Sequence, residues 1–372
     1  MKGPSYNKNL PQYSYCSINN QMTEEDDANS INSREDDNNI LIYGPLVYCF
    51  HCIHNKRIIC YVLLTIGLLF AIFSTVFVLV NQNNHIRPVG KSIQLKIYSL
   101  NNWAIPGNQD KEERLKELRT VLRNESFDIF ILQGLWMEYD HTSIREALPS
   151  DKSMTDFREL ANSNICDGRL TRGGCSGLSI VYKNNGTTKR SSSFDLYTYR
   201  GSIFTTDGTL GKGIGRLRLK IQDFIVEIFT THVHDSEVYY QDLQTRELMS
   251  YVSKSPADLI ILGAALQSTP NERGYRNIMT YDATAKISNT AQKYFQSNWN
   301  DPNAHGTFNM PQNKFTPKGN VPKITDFAFA ASALDYSVSV IQFYNPIFEK
   351  KYPFNVSLSN HEVIGLDIKV EA

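Results

Sequence analysis

The sequence predicts an α+β fold of packed sheets covered by helices, preceded by one membrane-spanning helix and a disordered polar tail. Three observations carry that expectation. From about Gln94 onward, short apolar runs alternate with helical patterns and turn signals. Residues 58–80 form an uninterrupted apolar run, and residues 1 to about 45 have no apolar periodicity at all. With 372 residues the chain is long enough for two ordinary domains, but its segments differ too much in composition to be divided by length alone.

The tail, residues 1–57, is rich in Asn, Ser, Gln and Tyr and carries the acidic clusters Glu24-Glu25-Asp26-Asp27 and Glu35-Asp36-Asp37. Such a segment buries too little apolar surface to offset the entropy of ordering it. The run Ile58–Val80 has 23 residues without a formal charge. As a helix it reaches roughly 35 Å, enough to cross a bilayer. It begins too far from the N-terminus and is too long for a cleaved signal peptide, so the expectation is a retained signal-anchor followed by a linker over 81–93. Lys56 and Arg57 abut its N-terminal side, whereas Arg87 and Lys91 lie further from its end, which places the tail in the cytosol and the C-terminal region in a lumenal or extracellular space.

Two further features agree with that single-pass type II orientation. All three glycosylation sequons, at Asn124, Asn185 and Asn355, follow the run. Of the six cysteines only Cys166 and Cys175 follow it, close enough in sequence to close a small disulfide loop in an oxidising compartment. Cys49, Cys52 and Cys60 are acylation candidates beside the membrane, or bland membrane-proximal cysteines.

In residues 94–372 strands are expected at Gln94–Leu100, Asp128–Leu132, Ser179–Tyr182, Arg216–Ile221, Phe224–Thr230, Asp258–Leu262, Asp326–Ala330 and Val363–Val370. Helices are expected over Asp110–Asn124, where Leu115, Leu118, Val121 and Leu122 share one stripe, and over Tyr240–Ser253. The formal net charge is zero, and residues 1–57 carry five basic and seven acidic residues, so the C-terminal region is close to neutral. That disfavours a nucleic-acid partner, whose binding rests on neutralising phosphates.

Asn101, His232, Asp326 and His361 each fall at or just beyond a predicted strand end, where loops gather side chains for chemistry. A lone histidine there is more often structural, but four such groups together point to a site.

The phrases around these residues resemble the endonuclease/exonuclease/phosphatase (DNase I-like) superfamily, and within it the neutral sphingomyelinases. Leu100-Asn101-Asn102-Trp103-Ala104-Ile105-Pro106 is similar to that family's Leu-Asn-Cys-Trp-Gly-Ile-Pro. Leu132-Gln133-Gly134-Leu135-Trp136-Met137-Glu138-Tyr139-Asp140 is similar to its Leu-Glu-Glu-Val-Trp-Ser-Glu-x-Asp. The resemblance continues through Thr231-His232-Val233-His234 and Ile324-Thr325-Asp326-Phe327 and covers about 280 residues, none of them in the tail or span.

It implies a four-layer α/β sandwich and an Mg²⁺-dependent attack of water on a phosphodiester, with sphingomyelin or a related choline phospholipid as substrate. It also implies roles: His361 as general base, Asp326 as the carboxylate orienting it, His232 as a phosphate hydrogen-bond donor, and Asn101 as an organiser of the metal's surroundings. The departures are equally specific. Gly134 stands where the family has its metal-binding glutamate, Ala265 and Gln267 where it has Asp and Asn, and Asn360 where it has an Asp. Mg²⁺ is held by one or two carboxylates plus water and substrate oxygens, so these losses leave little charge to hold it. Glu138 and Asp140 are the nearest acids that could substitute, although they match acids the family already has. The expectation is a pseudoenzyme that binds a lipid headgroup or a protein, the alternative being an active sphingomyelin phosphodiesterase with a rearranged metal site.

Overall fold

The structure, a computed structural model, describes residues 61–75, 88–105, 107–162, 166, 175–199, 210–280, 307–308, 313, 315, 322–332, 337–344, 346 and 357–372. The predicted tail, both ends of the predicted membrane span, and Asn355 lie outside them. Residues 61–75 form helix α1, every side chain of which is exposed. Among the described residues no helix is long and apolar enough to cross a membrane.

His85–Ala372 is a compact unit of its own. It opens on β1 (Ser92–Asn101), α2 (Lys111–Asn124), β2 (Ile129–Gln133), α3 (Glu138–Glu146), β3 (Lys152–Met154), β4 (Ser179–Lys183) and β5 (Thr187–Leu196). It continues through β6 (Gly213–Ile221), β7 (Phe224–His232), α4 (Val238–Val252), β8 (Leu259–Ala265), α5 (Arg273–Thr280), β9 (Asp326–Ser332), β10 (Ser337–Tyr344) and β11 (Ile364–Glu371). One sheet has the order β10-β11-β1-β2-β4-β3 and the other β5-β6-β7-β8-β9.

Alternation along the strands divides them between two cores. Ile97, Ile129, Ile131 and Ile180 of the first sheet pack with Leu217, Val226 and Ile228 of the second, and that core continues to Leu248 and Met249 of α4 and Ile278 of α5. Tyr98, Leu100, Phe130 and Leu132, on the opposite face of the first sheet, meet Leu115, Leu118, Val121 and Leu122 of α2 and Ile144 of α3. The layers are therefore helix, sheet, sheet, helix, the expected α+β sandwich. Each fully buried Leu, Ile or Phe contributes about 1.5–3 kcal/mol relative to exposure. With its own cores and every strand of both sheets, the unit meets the physical criterion for a domain that folds alone.

The expected strands and both expected helices are present within a few residues. α3, α5, β3, β5 and β10 were not anticipated. β5, Thr187-Thr188-Lys189-Arg190-Ser191-Ser192-Ser193-Phe194-Asp195-Leu196, is an edge strand, so its polar, mostly half-exposed side chains show no strong alternation.

Buried charges fasten the helices to the sheet. Lys111 at the start of α2 donates to both carboxylate oxygens of the fully buried Asp140 on α3, at 3.0 and 2.9 Å. Lys152 Nζ closes the far end of α2 by donating to the carbonyls of Leu122 (2.7 Å) and Glu125 (2.8 Å), with its ammonium 4.4 Å from the Phe127 ring centroid.

His141 on α3 is fully buried, its ring 5.6 Å from that of Phe157. Burial pushes it down to about 4. The unfolded chain binds this proton near pH 6.5 and the folded chain does not, so stability falls as pH drops from about 6.5 toward 4. Urea unfolding of residues 85–372 should therefore show His141→Phe gaining about 3 kcal/mol relative to the natural sequence between pH 7 and pH 4. A stability difference independent of pH would contradict the assignment.

Candidate functional site

The parallel pairs β1/β2 and β7/β8 bring their C-terminal ends to one edge of the sandwich. Asn101 is in register with Gln133, His232 with Ala265, and Ala265 with Asp326. His361 enters from the segment before β11 and bridges to Phe308. All four strand-end residues expected from sequence are thus gathered, each largely buried.

His361 Nδ1 lies 2.7 Å from Asp326 Oδ2, and its Nε2 lies 3.3 Å from the Asn101 amide nitrogen. The carboxylate accepts the Nδ1 proton, which leaves Nε2 as the basic nitrogen facing the Asn101 amide. Asp326 is fixed in turn, since the Thr325 hydroxyl donates to Oδ2 at 2.9 Å and the Asp326 backbone amide donates to the Thr307 hydroxyl at 3.1 Å. The Ser359 hydroxyl donates to the Asn101 carbonyl at 2.6 Å and holds the last loop against the end of β1.

His232 occupies the other side. Its Nε2 is 2.9 Å from Asp235 Oδ1 and 3.3 Å from Gln267 Nε2, and its ring centroid is 5.7 Å from that of Trp136. Burial, then the charge of Lys212, lowers its pKa and favours the neutral imidazole. Lys212 is itself buried and donates to the Val233 carbonyl (2.8 Å) and to Asp235 (2.9 Å). Burial works against ionising Asp235, but the charge of Lys212 and the hydrogen bonds from His232 and Lys212 hold the carboxyl below the usual range. Asp235 and Lys212 were not anticipated. The first stands three residues after His232, a spacing that offers a signal; the second is far away in sequence and becomes visible only when β6 and β7 pair.

The substituted positions lie at the same edge. Ala265 is fully buried and presents only a methyl group. Gln267 has φ 53, the left-handed region in which Asn is far commoner than Gln. The Asn360 amide oxygen is 3.3 Å from the Ser359 hydroxyl. Gly134 has φ 76, and a Cβ built on it would come within 2.8 Å of Asn101 Oδ1 and 2.9 Å of the Trp103 backbone nitrogen. The backbone has closed over the place where a longer side chain would leave the strand.

The nearby acids do not replace what is missing. Asp140 is committed to Lys111, and Glu138 faces Arg158 at 3.4 Å. Among the described residues no group of three His, Cys, Asp or Glu could hold a metal ion. The donors that do meet here are the Asn101 and Gln267 amides, two histidines, an Asp326 already bonded to His361 and an Asp235 already bonded to His232 and Lys212. That set does not fit Mg²⁺, which requires oxygen donors with carboxylate charge.

No protein-family model matches the chain. It is 27% identical to sphingomyelin phosphodiesterase 2 of Homo sapiens over 194 residues, which cover 49% of this chain and 43% of that relative. Its fold is similar to that of D. rerio TDP2 complexed with a single-strand DNA product (TM-score 0.57, 12% identity, 74% of this chain and 98% of that one). It is also similar to beta toxin from Staphylococcus aureus, in a mutant with bound magnesium ions (TM-score 0.54, 13% identity, 74% and 99%). The chain is sphingomyelinase-like in sequence and shares the fold of these phosphodiesterase structures. The matched stretch spans less than half of that human relative's length.

In this sphingomyelinase-like chain the remaining sequence-derived sites lie away from the cleft. Asn124 and Asn185 are exposed, at the end of α2 and in the turn between β4 and β5, and Cys166 and Cys175 are joined by a disulfide. Cys175 leads into Gly177, whose missing side chain leaves room for the Trp136 ring that packs on His232.

Two substitutions separate backbone from side chain. Gly134→Ala should cost about 2 kcal/mol or more, through its left-handed φ and the backbone contact. Gln267→Asn should gain about 0.5–1 kcal/mol from the left-handed preference of Asn. Both are read from urea unfolding midpoints of residues 85–372, and a neutral Gly134→Ala would mean that the loop is free to move.

Proposed function

We propose that this protein is a membrane-anchored, sphingomyelinase-like protein that engages choline phospholipid without hydrolysing it efficiently. The observation that carries the proposal is the closed backbone at Gly134, which removes both the family's carboxylate and the space for one. The anchor is the apolar run over residues 58–80; the Cys166–Cys175 disulfide and the exposed sequons at Asn124 and Asn185 support a C-terminal domain in an oxidising compartment.

The chain's own residues account for part of a hydrolytic mechanism. His361 Nε2 can accept a proton from an attacking water, and Asp326 at 2.7 Å stabilises the imidazolium that results. The Asn101 amide, 3.3 Å from His361 Nε2, and His232 are the groups that would contact phosphoryl oxygens. In the family, magnesium polarises the phosphoryl group; among the described residues around His232 the buried cation is Lys212, already paired with Asp235. Among the described residues of the cleft two carboxylates, Asp326 and Asp235, stand against that one lysine, a balance that favours the cationic end of a choline headgroup over its phosphate.

The intact His361–Asp326 pair favours one second reading, an active phosphodiesterase that recruits its metal in a different way. The two diverge in phosphocholine release from sphingomyelin vesicles by residues 85–372, assayed with and without Mg²⁺. We expect no metal-dependent turnover, no thermal stabilisation by Mg²⁺, and no change in background with His361→Ala. Turnover that requires Mg²⁺ and falls by several powers of ten in His361→Ala would establish the second reading; each tenfold loss is about 1.4 kcal/mol of transition-state stabilisation.

A further inference from the structure

Exposed apolar side chains stand on helix α4 and on a segment that lies against it. Among the described residues of the C-terminal unit, six large apolar or aromatic side chains are exposed: Val89, Tyr139, Tyr199, Val238, Tyr239 and Ile341. Three of them, Tyr199 (48%), Val238 (48%) and Tyr239 (65%), belong to two segments that the structure ties together. Gln244 of α4 makes the tie, its amide nitrogen donating to the Tyr199 carbonyl at 2.7 Å while its amide oxygen accepts from the His234 backbone nitrogen at 2.7 Å. One residue earlier, the Thr198 hydroxyl donates to Glu247 of α4 at 3.0 Å. The segment after β5 that carries Tyr199 thus lies against α4, the helix whose first turn carries Val238 and Tyr239.

This rim is also rigid. Tyr240 stacks on the buried His234 ring at 5.0 Å, and the Tyr239 and Tyr240 rings meet edge to face at 5.5 Å. Tyr197, two residues before Tyr199, is fully buried, with its hydroxyl 2.6 Å from that of Thr231. The rim begins only a few residues beyond His232 and Asp235, so whatever it contacts lies next to the mouth of the site.

Its chemistry selects the contact. Tyrosine has an apolar body and a polar tip, the combination that suits the headgroup level of a bilayer. Among the described residues of the segments 197–199 and 234–242 there is no Lys or Arg; Asp235 is paired with Lys212 and the buried Asp242 with Arg246, whereas Glu237 is exposed directly beside Val238. An exposed carboxylate beside tyrosine rings repels anionic lipid and attracts quaternary ammonium groups, which lie favourably over such rings.

We infer that Tyr199, Val238 and Tyr239 form a docking rim for a choline-headgroup bilayer surface, with Glu237 supplying the preference for zwitterionic over anionic lipid. This rests on the proposal that the protein engages choline phospholipid, but it is a claim about the rim and not about turnover.

The test is co-sedimentation of residues 85–372 with vesicles of phosphatidylcholine or of phosphatidylglycerol. The natural sequence should bind phosphatidylcholine more tightly than phosphatidylglycerol. The double variant Val238→Ser, Tyr239→Ser should lose on the order of tenfold or more in partitioning, because its insertable apolar surface is gone. Tyr199→Ser should show a smaller loss, and Ile341→Ser, exposed on another element, none. Glu237→Lys should reverse the lipid preference. Absence of phosphatidylcholine binding, unchanged binding by the double variant, or a phosphatidylglycerol preference in the natural sequence would each overturn the rim. Metal-dependent release of phosphocholine would overturn only the impaired-cleft proposal, so the two failures are distinguishable.

Discussion

Face-to-face packing of the two sheets is the constraint from which the rest follows. The inward isoleucines, leucines and valines of β1, β2, β4, β6 and β7 must interdigitate, and this sets the register of both sheets at once. A slip of one residue in β1 would turn Ile97 outward and carry Asn101 away from His361. The 2.7 Å contact between His361 and Asp326, residues from different segments, is therefore a product of core packing rather than of local sequence. Function at this edge is inherited from apolar side chains that never touch a ligand.

The order of elements was legible wherever a strand or helix had to hide one face. β1, β2, β7, β8 and α2 carry apolar periodicity because each lies between layers. β5 escaped because it is an edge strand of threonine, serine and charged residues, and α3 because its nine residues bury only Asp140, His141 and Ile144. At the site, residues that end strands could be picked out, since strand ends are visible as the close of an alternating run. Lys212 could not be recognised: a lysine becomes a buried partner of Asp235 only when β6, β7 and the following turn meet, and nothing in its neighbours announces that. The membrane-span expectation, made from a composition signal of 23 residues, falls only partly within the described residues.

Two residues at the cleft hold left-handed backbone without being glycine. Gln267 is one, and Trp103 at φ 51 is the other. The Trp103 strain is locked in place by Arg114, which is buried, lies 5.0 Å from the indole and 5.5 Å from the Phe315 ring, and donates to the carbonyls of Asn102 and Trp103. Burial lowers the Arg114 pKa to about 10, still well above neutrality, so its charge persists. A cation enclosed this way organises loop backbone and is not available to a phosphate. The polar resources of this edge are thus largely committed to holding shape.

The closed turn at Gly134 has an evolutionary consequence. A glutamate at this position can be exchanged for glycine in one step, and the freed backbone can then settle against Asn101 and Trp103. The return step finds that space taken: a side chain at 134 now collides with the Trp103 backbone nitrogen unless that turn moves at the same time. The forward change needs one mutation and the backward change needs at least two acting together, with a less stable intermediate between them. The position therefore behaves as a ratchet, and an acid would enter this edge more readily at a new position on the rim of the cleft than at 134.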